Sequence, residues 1–315
     1  MSVNSVFSAG IIQCHDVPLS SAVKFAGLVS KNIELGNEVR TQQAAASIYE
    51  RTATITRRAP SFGMATTQIA TALDLIGSVG RCITADGTHP GLDAYLVAHD
   101  ECNHRDLTAS QRYRMTKGLL VPESLSVEHR GIAQLAMSAR ASYDGTNEPL
   151  QVDEDITLPT GAVDTEQFTL YQQTIQSVTL TGVKQMAIEF GVQVTEEDAD
   201  GSIFPEWLSV GSVVTRIRLG GINPKWLASG IIPIAGKPLT HAGTTLRMIK
   251  CLDGGSYAPL ASAVHIGITV AGLGTITTAA SAGDGNGVAG SELVLIAVHD
   301  GTNVPLMIDT TFALA

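Results

Sequence analysis

Residues 23–50, VKFAGLVSKNIELGNEVRTQQAAASIYE, return without a gap at 178–205 as VTLTGVKQMAIEFGVQVTEEDADGSIFP. Val23, Gly27, Ile33, Glu34, Gly36, Val39, Ser47 and Ile48 recur as Val178, Gly182, Ile188, Glu189, Gly191, Val194, Ser202 and Ile203, 155 residues on. A second pair of segments, YDGTNEPL at 143–150 and HDGTNVPL at 299–306, recurs 156 residues on. A common turn sequence would account for the second pair but not for the first, so two anchors in the same order mark a tandem duplication. Each repeat has the size of an ordinary domain. The expected domains are 1–157 and 158–315, meeting in the Pro- and Gly-containing stretch TLPTGAVDTE.

Within each repeat the apolar pattern has period two. In 178–194, Met186, Ile188, Phe190, Val192 and Val194 alternate with Ala187, Glu189, Gly191 and Gln193. In 131–143, Ala133, Leu135, Met137, Ala139, Ala141 and Tyr143 share one face, and segments 213–219 and 264–270 alternate likewise. Such alternation predicts strands with one buried face. If 131–143 were a single strand it would run roughly 40 Å. The DGTN segments predict hairpin turns: Asp144, Gly145 and Asn147, and again Asp300, Gly301 and Asn303, are residue types that tolerate left-handed backbone. Helix is expected to be minor. Ile69, Leu73 and Ile76 in 64–76 have helical spacing and end at Gly77, and 90–104 opens on Pro90 at a plausible first-turn position. The second repeat shows no clear counterpart of the 64–76 helix and carries Gly-rich hairpin material at 271–291.

Composition agrees with a mainly β chain. Of 315 residues 44% are apolar, enough for a sizeable core, while 31 Gly and 5% aromatics suit strands joined by tight turns. Only 16% are charged, against roughly 25% in typical soluble domains, which points to surface covered by assembly. The net charge is −10, and both halves are acidic, so tight binding of nucleic acid through phosphate neutralisation is not expected. Cys14, Cys82, Cys102 and Cys251 are scattered, which suits synthesis in a reducing compartment. The N-terminal segment lacks the basic start of a signal peptide, and no apolar run reaches the roughly 20 residues of a membrane helix.

No catalytic constellation emerges. His99, Cys102 and His104 come nearest to a metal cluster, but on a helix His104 would point away from the other two. Gly285, Gly287 and Gly290 spell GxGxxG ahead of a strand pattern, where a dinucleotide fold needs a helix. Asp284 and Asn286 begin like a calcium loop, but Glu292 falls too early to complete it. Asp153, Asp155, Asp198 and Asp200 lie in polar runs that read as solvated loops. Neither an enzymatic activity nor a cofactor is expected. The candidate contacts between subunits are the basic segment Arg105, Arg112, Arg114 and Lys117, and the two tryptophans Trp207 and Trp226.

The alternating strands, the sparse helix, TGVKQMAIEFGVQV and the repeated DGTN strand pair together resemble bacteriophage tail tube proteins. That resemblance implies two tandem tube-type β-sandwich or barrel domains whose sheets merge into a ring barrel on assembly. It further implies stacked hollow rings through which DNA leaves the capsid without specific binding. A duplicated chain suggests a trimeric ring with pseudo-six-fold symmetry, with a hexameric ring as the second choice. The implied partners are further copies and other tail proteins such as tape measure, terminator and hub, with no membrane. The implied location is the virion tail after synthesis in the host cytoplasm. A tail hub or baseplate protein, a capsid decoration or receptor-binding β-protein, and a hydrolase using the scattered acids are the alternatives.

Overall fold

A computed structural model describes residues 6–14, 23–25, 27–43, 45, 48–84, 91–99, 104–161, 166–175, 178–199, 201–221, 238–239, 244–282 and 290–314. The chain is mainly β and antiparallel throughout. Its first half contains β1 (Val6–Cys14), β2 (Val23–Phe25), β3 (Leu28–Glu34), β4 (Asn37–Gln43), β5 (Glu50–Arg58) and β6 (Ser61–Thr66). There follow α1 (Ile69–Ile76), β7 (Arg81–Thr84), β8 (Leu92–His99), β9 (Arg105–Met115), β10 (Lys117–Glu128), β11 (Gln134–Ala141) and β12 (Leu150–Ile156). The second half contains β13 (Phe168–Leu170), β14 (Gln173–Ile175), β15 (Val178–Leu180), β16 (Val183–Glu189), β17 (Val192–Asp198), β18 (Pro205–Val213) and β19 (Thr215–Gly221). It ends with β20 (Pro238–Leu239), β21 (Thr245–Lys250), β22 (His265–Val270), β23 (Leu273–Ala282), β24 (Gly290–Val298) and β25 (Leu306–Phe312).

A ten-stranded sheet runs through both halves in the order β20-β23-β24-β19-β16-β10-β11-β6-β3, with β7 also paired to β10. A five-stranded sheet, β12-β9-β8-β1-β2, belongs to the first half, and a six-stranded one, β15-β14-β21-β22-β25 with β13 beside β21, belongs to the second. Two separate ribbons, β4-β5 and β17-β18, complete the strands. The five-stranded order β12-β9-β8-β1-β2 reappears position for position as β25-β22-β21-β14-β15.

The pairing registers repeat at the same offsets as the sequence. Ile33 opposite Phe62 becomes Ile188 opposite Ile217, and Glu38 opposite Arg57 becomes Gln193 opposite Ser212, each 155 residues on. Leu120 opposite Ala139 becomes Ile276 opposite Leu295, and Cys82 opposite Leu119 becomes Pro238 opposite Thr275, each 156 residues on. One turn explains why glycine recurs at 36 and 191. Both residues have positive φ, 58° and 63°, and a Cβ on either would lie 2.1 Å from a backbone carbonyl, of Ala59 and Val214 respectively. The same residue pairs are tied by Ala59 N–H donating to Gly36 O and Val214 N–H donating to Gly191 O.

One face of the ten-stranded sheet is apolar. Leu125, Leu135, Met137, Phe62, Ile188, Ile217, Leu219 and Leu295 are all fully buried on it. They join Phe25, Leu92 and Met115 from the five-stranded sheet, and Phe168, Met248 and Ile268 from the six-stranded one, in a single core cluster. Each such side chain contributes roughly 1.5–3 kcal/mol of transfer free energy.

Several expectations are corrected. The helix expected at 90–104 is strand β8 over Leu92–His99, buried on both faces between β1 and β9. A short apolar run fits either a buried helix or a central strand, and here the two flanking strands decide. The helix expected at 64–76 begins only at Ile69, because Ser61–Thr66 is a strand between β3 and β11. It is the one helix among the described residues, and its counterpart region, 222–237, lies outside them. The 178–194 segment is three strands, broken by Gly182 and Gly191 at positive φ. Strand β11 has 8 residues, about 26 Å at the usual rise.

The DGTN segments are turns but not hairpins. β11 pairs with β10 and β6, whereas β12 pairs with β9 in the other sheet; β24 and β25 are separated in the same way. Each turn therefore carries the chain from one layer to the other. The residue chemistry sets the bend, but the buried faces on either side of it set where the next strand goes.

Candidate assembly interface

The two halves meet edge to edge. Strand β10 lies antiparallel to β16 with Ser124 opposite Glu189, Leu125 opposite Ile188, Ser126 opposite Ala187, Val127 opposite Met186 and Glu128 opposite Gln185. The ladder continues at both ends: Phe190 N–H donates to Glu123 O at 3.0 Å, and His129 N–H donates to Lys184 O at 2.7 Å. Leu125, Val127, Met186, Ile188 and Phe190 are at most 2% exposed. The seam is thus a stretch of continuous sheet with a dry inner side.

Beside it the ribbon β17-β18 leans on the first half. Arg57 Nη2 donates to Glu196 at 2.6 Å, Arg57 Nε to Asp198 at 3.0 Å and Arg57 Nη1 to Glu38 at 3.3 Å, while Arg140 Nη1 reaches the other Glu196 oxygen at 2.6 Å. Burial alone would raise the Glu196 carboxyl, but the hydrogen bonds and charges of Arg140 and Arg57 lower it below its ordinary value. Backbone bonds secure the same contact: Arg58 N–H donates to Ile203 O and Tyr143 N–H to Pro205 O, both at 2.7 Å. The Tyr143 and Phe204 rings stack at 6.0 Å with an interplanar angle of 24°. Asp198, expected in a solvated loop, instead ends β17 within this cluster, and nothing in the local patterns of Arg57, Arg140 or Glu196 announces a contact that only the fold creates.

The other face of the ten-stranded sheet is open. Across five neighbouring strands it presents Gln134, Ser126, Glu128, Gln185, Ala187, Arg218, Gly220 and Glu292 around a depression of about 480 Å³. Its lining is mixed: Ile132, 49% exposed, stands beside the polar and charged side chains, and Arg218 lies 3.5 Å from Glu189.

The DGTN turns are built alike. Asp144 Oδ1 accepts from Thr146 N–H and Asn147 N–H at 2.8 and 2.7 Å, and Oδ2 accepts from Asn147 Nδ2 at 3.1 Å. Asp300 accepts from Thr302 N–H, Asn303 N–H and Asn303 Nδ2 at 2.9, 2.7 and 2.9 Å. Gly145 and Gly301 have φ of 93° and 96°. Thr116 Oγ1 adds a fourth donor to Asp144 at 2.9 Å. Burial would raise this carboxyl, but the hydrogen bonds from Asn147, Thr146 and Thr116 hold it at about 2.

The other sequence candidates are dispersed. Arg112 binds Asp153 at 2.6 Å, and Arg114 binds the buried Asp93 through both carboxylate oxygens at 2.8 and 3.0 Å. Lys117 Nζ donates to Tyr143 O and Glu206 O, both at 3.0 Å, so it helps to hold β18 against the first half. Arg105 sits opposite His99 on the β8-β9 ladder. Trp207 is 56% exposed on β18, and Trp226 lies outside the described residues. His99 and His104 are described and Cys102 is not; among the described residues no three His, Cys, Asp or Glu side chains gather as a metal site would require. Gly285, Gly287, Asp284, Asn286 and Asp200 are likewise outside the described residues. No helix among the described residues is long and apolar enough to cross a membrane.

These features define a mainly β chain whose best-developed candidate site is the seam between its two halves. No protein-family model matches the chain, and no curated protein sequence matches it.

Proposed function

We propose that the protein is a structural subunit of a phage-type tail tube, self-assembling into stacked hollow rings that conduct DNA. The observation that carries this reading is the β10–β16 seam. Through it, two halves with matching strand order form one sheet, edge to edge. A unit that adds to its like in this way can go on adding. Three chains would supply six such units for a ring with pseudo-six-fold symmetry; six chains in a hexameric ring is the second arrangement. This face would line the channel, where Glu128 and Glu292 repel phosphates, Arg218 is offset by Glu189, and the small Ser126, Ala187 and Gly220 offer DNA little to grip. The reading gives the chain no catalytic residue and no cofactor. Its partners are other copies and the tail's tape measure, terminator and hub proteins, and its location is the virion tail after synthesis in the host cytoplasm.

Negative-stain electron microscopy of the purified chain tests this reading. Hollow rings or tubes with three-fold or pseudo-six-fold end views are expected. Compact monomers at every concentration would overturn it and favour a capsid decoration or receptor-binding protein.

A further inference from the structure

The ten-stranded sheet ends on two strands that are counterparts of the ones forming the internal seam. β3 closes one end and matches β16; at the other end the two-residue β20 pairs with the start of β23 as β7 pairs with the start of β10, and among the described residues the rest of that edge of β23, the counterpart of β10, carries no strand. Among the described residues, these two edges thus carry the same complementary halves as the seam already made inside the chain.

The surface beside β3 has the character of an uncovered seam. Phe190 is fully buried against β10, whereas Leu35, its counterpart, is 58% exposed. Phe204 stacks on Tyr143, and Ile203 O accepts from Arg58 N–H. Their counterparts Tyr49 and Ile48 are 74% and 83% exposed. Leu35 therefore stands in solvent at a position that is fully buried where the second half meets the first.

Resting on the self-assembly reading above, we infer that β3 of one copy adds to β23 of a second copy, head to tail, in the register of the internal seam. Transposed by the repeat offsets, Ser124 opposite Glu189 becomes Ala280 opposite Glu34 of the neighbour. Leu125 opposite Ile188 becomes Ser281 opposite Ile33, and Ser126 opposite Ala187 becomes Ala282 opposite Asn32. Leu35 would be covered as Phe190 is, and Tyr49 would face His299, the counterpart of Tyr143. The contact is heterologous, using a different patch on each copy, so it produces closed rings or open filaments rather than two-fold dimers.

Two variants test the contact. Leu35→Asp places a charge where the neighbour would bury the side chain, and because Leu35 is exposed in the single chain the fold should survive, as judged by circular dichroism. Association measured by light scattering should weaken on the order of tenfold or more. Separately tagged chains, one with Asn32→Cys and one with Ala282→Cys, should give a cross-linked pair on co-expression and oxidation, while two Asn32→Cys chains should not. Assembly that is unaffected by Leu35→Asp and yields no mixed cross-link would overturn this contact and leave the assembly reading standing. A chain that stays monomeric at all concentrations would overturn both.

Discussion

Leu125 on β10 lies opposite Ile188 on β16, and neither has measurable exposure. This pair sits where the two halves of the ten-stranded sheet join. Removing it should loosen the joint while leaving each half's own pairing intact. Leu125→Ala or Ile188→Ala should cost about 2–5 kcal/mol, by lost transfer free energy plus the cavity left behind. Urea denaturation followed by fluorescence checks this; a loss below about 1 kcal/mol would mean that the seam relaxes around the gap.

Asp144→Ala and Asp300→Ala should each destabilise the chain by about 1 kcal/mol or more, because each removes the acceptor for two turn N–H groups. The folded-state value of Asp144, about 2, lies below its ordinary 3.8. Its contribution is therefore complete above about pH 4 and lost as pH falls toward 2. Thermal melts from pH 6 to pH 2 should show a steeper acid decline for the parent chain than for Asp144→Ala.

Glu196 holds Arg57 and Arg140 together, so Glu196→Ala should destabilise by about 1–3 kcal/mol, with Arg57 keeping Asp198 and Glu38 as partners. The Glu196 carboxyl is lowered in the folded chain, so this contribution is present above the ordinary carboxylate range and fades as pH falls below it. Denaturation midpoints of the variant and parent should converge in acid; midpoints that already agree at pH 7 would show the cluster to be energetically silent.

Lys31 stands on β3 where Met186 stands on β16, with its ammonium donating to Tyr95 O at 2.6 Å. Burial lowers its pKa from 10.5 to about 7. Between those values the unfolded chain binds more protons than the folded one, so stability should rise with pH across that window and level off below it. Lys31→Met should raise stability at pH 7 by about 1 kcal/mol and flatten the rise. An unchanged slope in the variant would show that another group causes it.

Self-association should tolerate salt. At the seam between copies, Ser212 and Ile296 stand where Arg57 and Arg140 stand inside the chain, and Thr41 and Gln43 stand where Glu196 and Asp198 do. With no ion pairs at those positions to screen, the oligomer distribution by mass photometry should be similar in 0.1 M and 1 M NaCl. Dissociation in high salt would place charged contacts at the seam.

The sequence alone determined the mainly β character, because alternation such as Thr215, Ile217 and Leu219 against Arg216 and Arg218 survives folding as buried and exposed faces of β19. It also located the DGTN turns, since these depend on backbone conformations that few residue types adopt. It could not separate helix from central strand at Leu92–His99, where both faces are buried and periodicity disappears. Nor could it tell a hairpin from a crossing between layers at Asp144 and Asp300, or bring Arg57 to Glu196. Those outcomes depend on which strands lie next to which, and local pattern does not encode that. Only the tertiary structure decided it, by burying the apolar faces of three sheets in one core and leaving β3 at one end and β23, with the short β20 beside it, at the other.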